Sequence, residues 1–421
     1  MKNKFLIFRN ISLGVIGGFM IASCQKESVE EVSLSTEQED VITSFDTNNI
    51  KGEYIVALKK STISLDTRIK TILSTSDIDA FKLISKFENI FQGFAVKNIT
   101  EAELARLRED RNIDYIAPNR AYQGNSEQSI PHTVFPNLPN TKRTGIDPHR
   151  GQLPLQNIDH TPTSKTSWGI TSIGGSRDGR GKVAWIIDSG ILDTPELNID
   201  RRRSRNFHPG NGGPENWQDG PTLHGTKVAG ILAAKDNGIG TTGIAAGATV
   251  VSVRISDASS NSNDLIYLRG IEYVTKHAKR GDVWNFSNGF NGHYRSKTFN
   301  DAFKKLAGVT YGAVAAGNFD EDVFLRSPTN EYIDGIKVVG SHDGALEPAF
   351  DSNFGEKVSL WAPGVNIPCI YIANHPEKYI MGSGTSFAAP HVAGMMLILG
   401  GDAPTAGQIN KNGRWAGIAH W

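Results

Sequence analysis

Among 421 residues there are only two cysteines, Cys24 and Cys369. Two thiols exclude a disulfide framework and are too few for a cysteine-rich zinc or iron–sulfur centre. An excess of one charge is missing as well: 44 Lys and Arg balance 44 Asp and Glu. That balance argues against nucleic acid or an anionic membrane surface as the main partner. The uncharged stretch near the start, Ile11–Ala22, has 12 residues, too few to cross a bilayer comfortably. No His-Glu-x-x-His zinc motif and no phosphate-binding glycine loop is present. With 38% hydrophobic residues and 18 prolines, what remains is a globular chain with room for two or three domains.

Lys2, Lys4 and Arg9 precede Ile11–Ala22, the pattern of a signal segment over residues 1–23. It runs into Ile21-Ala22-Ser23-Cys24, which resembles a bacterial lipobox. The resemblance implies cleavage before Cys24, acylation of its thiol, and a cell-envelope protein that meets the membrane only through that lipid. The plainer alternative is an ordinary secretory signal with an incidental cysteine; either reading places the chain outside the cytoplasm. Residues 24–50 are acidic and rich in Ser and Thr, as in a solvated tether.

From residue 51 the pattern changes. Tyr54–Leu58 reads as a buried strand, 66–74 as a helix, and Phe81–Phe87 and Phe91–Val96 as two further strands. Thr100-x-x-Glu103 is a capping box that opens a helix over Glu101–Glu109. Asp114–Ala117 reads as a last strand stopped by Pro118. The order β-α-β-β-α-β is that of a ferredoxin-like split unit over 51–122. Residues 123–167 hold six prolines and little periodic hydrophobicity, which marks a linker.

Beyond it, continuous apolar runs at Lys182–Ile187, Val250–Ile255, Asp282–Phe286, Val309–Ala315, Ile336–Gly340 and Val358–Trp361 suggest strands covered on both faces. A helical pattern over Asp264–Arg280 separates two of them. Such repetition predicts an α/β fold with a doubly wound, mostly parallel sheet, where ligands gather at strand carboxyl ends. Asp188 stands at one such end and Asn318 follows another.

Three motifs carry the chemistry: Asp188-Ser189-Gly190, His224-Gly225-Thr226 and Gly384-Thr385-Ser386-Phe387-Ala388-Ala389-Pro390-His391. Together they resemble those of the subtilisin-like serine proteases, or subtilases, over roughly Trp168 to Leu399. The resemblance implies acyl transfer with Ser386 as nucleophile, His224 as general base and Asp188 orienting the imidazole. A serine hydroxyl needs such a base near neutral pH, and imidazole alone titrates there. Ala315-Ala316-Gly317-Asn318 resembles the subtilase segment whose Asn side chain helps to bind the oxyanion, the Ser386 backbone N–H being the other donor.

The same resemblance implies that Asn285-Phe286-Ser287-Asn288-Gly289 pairs with an extended peptide through its main chain, with Ala316 and Gly317 walling the primary specificity pocket. Asn288 departs from the family's usual Leu, and Phe319 from a usual small or acidic residue. Asp320-Glu321-Asp322 is an acidic run that either favours basic side chains or is a solvated loop. No cofactor is required for the chemistry. The loop 235–241 resembles the family's structural calcium loop, with Asn237 and Glu196 as candidate oxygen ligands. Cys369 reads as a buried free thiol, His391 as packed inside its helix, and Arg201–Arg205 as an exposed basic loop.

In subtilases a ferredoxin-like propeptide precedes the catalytic domain and inhibits it until autocleavage. The resemblance gives 51–122 that role of intramolecular inhibitor, 123–165 the maturation cut and 168–421 the peptidase, acting on protein or peptide substrates. After Leu399 the family continues with further helices and a closing strand. Here Asp402–Trp421 offers only a helix start at 404–409, so the apolar nucleophile helix is expected to be under-covered. A secreted or lipid-anchored serine endopeptidase is the first expectation. A protease-like surface lipoprotein that only binds is the second.

Overall fold

The computed structural model describes residues 48–122, 167–210, 212–256, 261–289, 293–375 and 378–421. The expected signal segment, nearly all of the tether, Cys24 and the linker up to residue 166 lie outside them.

The amino-terminal domain follows the expected order. Strands Asn49–Leu58, Leu83–Phe87, Gly93–Val96 and Ile113–Tyr122 alternate with helices Leu65–Thr75 and Glu101–Glu109. Asn49–Leu58 is central, pairing antiparallel with both Gly93–Val96 and Ile113–Tyr122, while Leu83–Phe87 forms an edge. Thr100 and Glu103 close the expected capping box: the Thr100 hydroxyl accepts from the Glu103 N–H, and the Glu103 carboxylate accepts from the Thr100 N–H. Two expectations need correction. The first strand begins at Asn49, inside the expected tether. The last does not stop at Pro118 but runs to Tyr122. Pro118 is tolerated because it sits beside a register irregularity, where a missing N–H costs little.

The large domain is built on one sheet. From one edge its strands are Thr405–Lys411, Arg414–Ala419, Leu360–Pro363, Ile336–His342, Tyr311–Ala315, Val283–Phe286, Val183–Asp188, Thr249–Arg254 and Asn198–Ile199. All its pairs are parallel except that between Thr405–Lys411 and Arg414–Ala419. Alternate side chains go to opposite faces, as strand geometry demands. Trp185, Ile187, Trp284 and Phe286 pack against helices Asp264–His277 and Lys297–Ala307. Ala184, Ile186, Val283 and Ala313 pack against helices His224–Ala233 and Thr385–Leu399. Chain order reverses between Val183–Asp188 and Val283–Phe286, the crevice where α/β sheets place ligands.

The carboxyl end departs from expectation. Residues 405–411 form a strand, not a helix start, and Arg414–Ala419 returns beside it to pair with Leu360–Pro363. Asn412 and Gly413 connect them with φ of 53° and 77°. This is the Asn-Gly two-residue turn that fits the right-handed twist of hairpin strands. The nucleophile helix is covered: Met395, Met396 and Leu397 are at most 1% exposed.

Candidate active site

Asp188 ends its strand and is buried; its Oδ1 accepts the Ser189 N–H at 2.7 Å and lies 2.7 Å from His224 Nδ1. A carboxylate can only accept, so this contact puts the proton on Nδ1 and leaves the Nε2 lone pair for a substrate-side proton. His224 is the first residue of its helix and follows Leu223, which adopts a left-handed conformation with φ 51°. Gly225 comes next because a β-carbon there would stand 2.1 Å from the Gly190 carbonyl oxygen, so only glycine lets the helix approach the segment after the strand.

Ser386 lies in the first turn of the helix Thr385–Leu399. Its hydroxyl donates to the Ser287 carbonyl at 3.1 Å, and the Ser287 hydroxyl donates back to the Ser386 carbonyl at 2.8 Å. The ring of Phe387, the next residue, packs against the His224 ring at 5.5 Å between centroids. The helix that carries Ser386 therefore packs against the His224 ring through Phe387. The Ser386 backbone N–H belongs to the helix's first turn, where amides lack intrahelical acceptors and the dipole favours an anion.

Asn318 faces the same helix start. Its Oδ1 accepts the Thr385 N–H and the Thr385 hydroxyl, both at 2.9 Å. A backbone N–H can only donate, so the amide orientation is determined and the NH2 group is directed away from Thr385. That leaves the Asn318 NH2 as a side-chain donor next to the start of the helix that carries Ser386.

The expected substrate segment follows the strand Val283–Phe286. Phe286 turns its side chain into the core, Asn285 donates to the Ser287 hydroxyl at 2.8 Å, and Asn288 donates to the Ile187 carbonyl at 3.0 Å. Asn285 and Phe286 are paired with strands on both sides, so an added strand could meet only the main chain that follows Phe286. Across from it, Ala316 is buried and its carbonyl is taken by Asn353, while the Gly317 N–H is taken by Thr385. These two residues can wall a pocket but offer it no hydrogen bonds from those groups. The acidic run is engaged internally: Asp320 with Lys411, Glu321 with Arg326 and His293, and Asp322 with the Phe324 N–H.

Three participants escaped sequence reasoning. Asp219 accepts from the Ser189 hydroxyl and Gly220 N–H on one oxygen, and from the Thr226 N–H and hydroxyl on the other. Burial pushes its carboxyl above the ordinary value and the Asp188 charge adds to that, while the hydrogen bonds pull it down. An acid five residues before His224 is a readable signal for a helix-start acceptor. Glu272 and Asn353 have no local signal, because their partners are distant in sequence.

Glu196 and Asn237 do come together: the Asn237 amide donates to the Glu196 carboxylate at 3.2 Å. Among the described residues Glu196 has no cationic side-chain partner, although it is buried. Asn237 thus turns its nitrogen, not a ligating oxygen, towards Glu196, and its Oδ1 accepts the Ile239 N–H at 3.0 Å. His391 is fully buried, with burial pushing its imidazole down to about 3, so it is no second base. Cys369 is a buried free thiol. Arg201, Arg203 and Arg205 of the basic loop pair with Asp193, Asp200 and Glu215.

Comparison with known proteins agrees with this architecture. Residues 179–408 match the subtilase family, peptidase S8, and the chain belongs to that family. The alkaline serine protease ver112 of Corniculantispora psalliotae is 25% identical over 358 residues, 84% of this chain and 81% of that protein. The thermostable alkaline protease of Halalkalibacterium halodurans is 26% identical over 362 residues, 83% and 81% of the two chains. The crystal structure of fervidolysin from Fervidobacterium pennivorans shares the fold, with a TM-score of 0.62 at 21% identity. That match covers 85% of this chain and 55% of that one. The protein is a serine-type endopeptidase that acts on protein or peptide substrates.

Proposed function

We propose that the endopeptidase works through Ser386, His224 and Asp188, with Asn318 and the Ser386 N–H as oxyanion donors. The 2.7 Å contact between His224 Nδ1 and buried Asp188 is the observation that carries this reading. In the reaction the Ser386 hydroxyl gives its proton to His224 Nε2 as its oxygen attacks the peptide carbonyl. Asp188 stabilises the imidazolium without taking the proton. The tetrahedral oxyanion is met by the Asn318 NH2 and the Ser386 amide. Its collapse expels the amine, which receives the proton from His224. Water then repeats the sequence on the acyl-enzyme. Of the expected segment 285–289, the part beyond Phe286 takes substrate as an added strand, walled by Ala316 and Gly317.

The amino-terminal domain is the chain's own inhibitor in this proposal. Ala121–Tyr122 pairs antiparallel with Ser262–Asn263 of the large domain, which supports a tail lying in the substrate cleft. Glu272 accepts from the N–H groups of Glu88, Asn89 and Ile90, tying a turn of the small domain to the helix Asp264–His277. Cleavage between 123 and 165 matures the enzyme, and export with acylation at Cys24 anchors the precursor outside the cytoplasm. A structural calcium ion held by Glu196 with neighbouring carbonyls belongs to the same proposal. The binding-only alternative drew on an uncovered nucleophile helix, and that helix is covered.

Expression of the full chain beside its Ser386→Ala form tests the reading. The parent is expected to be cut within 123–165 and labelled by a serine-directed phosphonate, and the variant to show neither. Equal processing of both forms, or an unlabelled parent, overturns it.

A further inference from the structure

Asn318 is held from one side by Thr385. From the other side, a single residue makes four hydrogen bonds to the segment around it. Asn353 is wholly buried. Its backbone N–H donates to the Gly317 carbonyl at 2.8 Å and its Nδ2 donates to the Ala316 carbonyl at 3.0 Å. Its Oδ1 accepts from the N–H groups of Phe319 and Glu321, at 3.0 and 3.1 Å. These bonds fall on both sides of Asn318 in sequence. Gly317 has φ +104°, and a β-carbon there would stand 2.5 Å from Asn353 Nδ2, so the segment and the clamp are shaped to each other.

Asn353 is itself braced. Lys411, the last residue of the strand Thr405–Lys411, donates to the carbonyls of Ala349, Phe350 and Ser352 and pairs with Asp320 at 2.8 Å. The Asp320 N–H donates to the Asp351 carbonyl at 2.9 Å, and the Phe354 N–H to the Glu321 carbonyl at 3.0 Å. The loop 349–354 and the segment 316–321 are therefore zipped together from the carboxyl-terminal hairpin inward.

We propose that Asn353, braced by Lys411, is a positioning residue for hydrolysis. It keeps Asn318 where the oxyanion will form, without touching substrate itself. The proposal rests on Asn318 being an oxyanion donor. Such a donor must stand about 2.7–3.1 Å from the developing charge, and a misplacement of about 1 Å can cost roughly 100-fold in rate. Losing the Asn353 side chain removes the bonds to Ala316, Phe319 and Glu321 that flank Asn318 and gives the segment room for such a shift.

A double-mutant cycle on the full chain, with kcat and KM measured on a chromogenic peptide, tests it. Asn318→Ala is expected to lower kcat about 100- to 1000-fold. Asn353→Ala is expected to lower kcat roughly 10- to 100-fold with KM within about threefold. In the Asn318→Ala background the same change should cost less than about threefold, because the group it positions is gone. Equal losses in both backgrounds, a loss residing in KM, or no loss overturns the proposal while leaving the Asn318 assignment intact. An Asn318→Ala enzyme with undiminished kcat instead defeats that assignment. Should Asn353→Ala fail to fold, Lys411→Met replaces it in the cycle. A severalfold kcat loss that disappears without Asn318 supports the brace, and an unchanged or additive kcat overturns it.

Discussion

His224 Nδ1 lies 2.7 Å from the Oδ1 of Asp188, on a carboxylate that is 1% exposed and also accepts the Ser189 N–H. The pairing sets the tautomer of the base. Asp188→Asn can present an NH2 to Nδ1 and so move the ring proton to Nε2, where it blocks proton transfer from Ser386. The expected result is a kcat lower by about 10⁴-fold with little change in KM. Steady-state kinetics on a peptide substrate checks it, and a loss under tenfold would contradict the assigned roles.

Asp219 ties Ser189, next to Asp188, to Thr226, in the helix that His224 opens. Removing the carboxylate leaves enclosed donors without acceptors, which costs about 2–3 kcal/mol. Asp219→Ala should lower the urea midpoint accordingly, measured in a Ser386→Ala background to prevent self-digestion. Asp219→Asn, which keeps one acceptor oxygen, should lose less.

Glu272 accepts three successive backbone N–H groups of the small domain. Hydrogen bonds to a charged group contribute about 1.5–3 kcal/mol each, so losing them should speed local amide exchange roughly 10- to 100-fold. Hydrogen exchange of Glu272→Ala, again with Ser386→Ala, should show faster exchange at residues 88–90. Unchanged protection there would mean that the two domains are held by other contacts.

The buried imidazoles predict acid lability. Burial depresses His342 and takes His391 down to about 3. An unfolded imidazole titrates near 6.5, so below that pH the unfolded chain binds protons that the folded one refuses. For His391 the contribution is whole above pH 6.5 and is lost as pH falls towards 3, on the order of 1 kcal/mol per pH unit, and His342 acts in the same direction. Denaturation midpoints of the Ser386→Ala protein between pH 7 and 4 should fall, and less steeply in a His391→Asn variant. Parallel slopes would remove His391 from the account.

The carboxyl-terminal hairpin is part of the core. Ile409 is 2% exposed and clusters with Trp361 and Ile418. Ile409→Ala should cost about 2–4 kcal/mol by cavity formation. Equilibrium unfolding in urea measures this, and a cost near zero would make the hairpin an appendage.

Much of this could be read from the chain because the signals are local. The strand ending at Asp188 is an apolar run buried on both faces, and Thr100 with Glu103 closes a capping box over three residues. The hairpin departs from the expected helix although its turn is legible. Thr405–Ile409 resembles a helix start, but Asn412-Gly413 is a hairpin signal in its own right, and the register against Leu360–Trp361 decides between them.

By itself the sequence determined most elements and their order, the carboxyl-terminal hairpin excepted, and it set Asp188 after a strand with His224 and Ser386 at helix starts. These follow from hydrophobic periodicity and short motifs, which act over a few residues. Only the tertiary structure decided what holds those groups in place. Asp219, Glu272, Asn353 and Lys411 act through hydrogen bonds to backbone groups far away along the chain. Which buried backbone group lacks a local partner, and which side chain can reach it, is settled only when the elements pack.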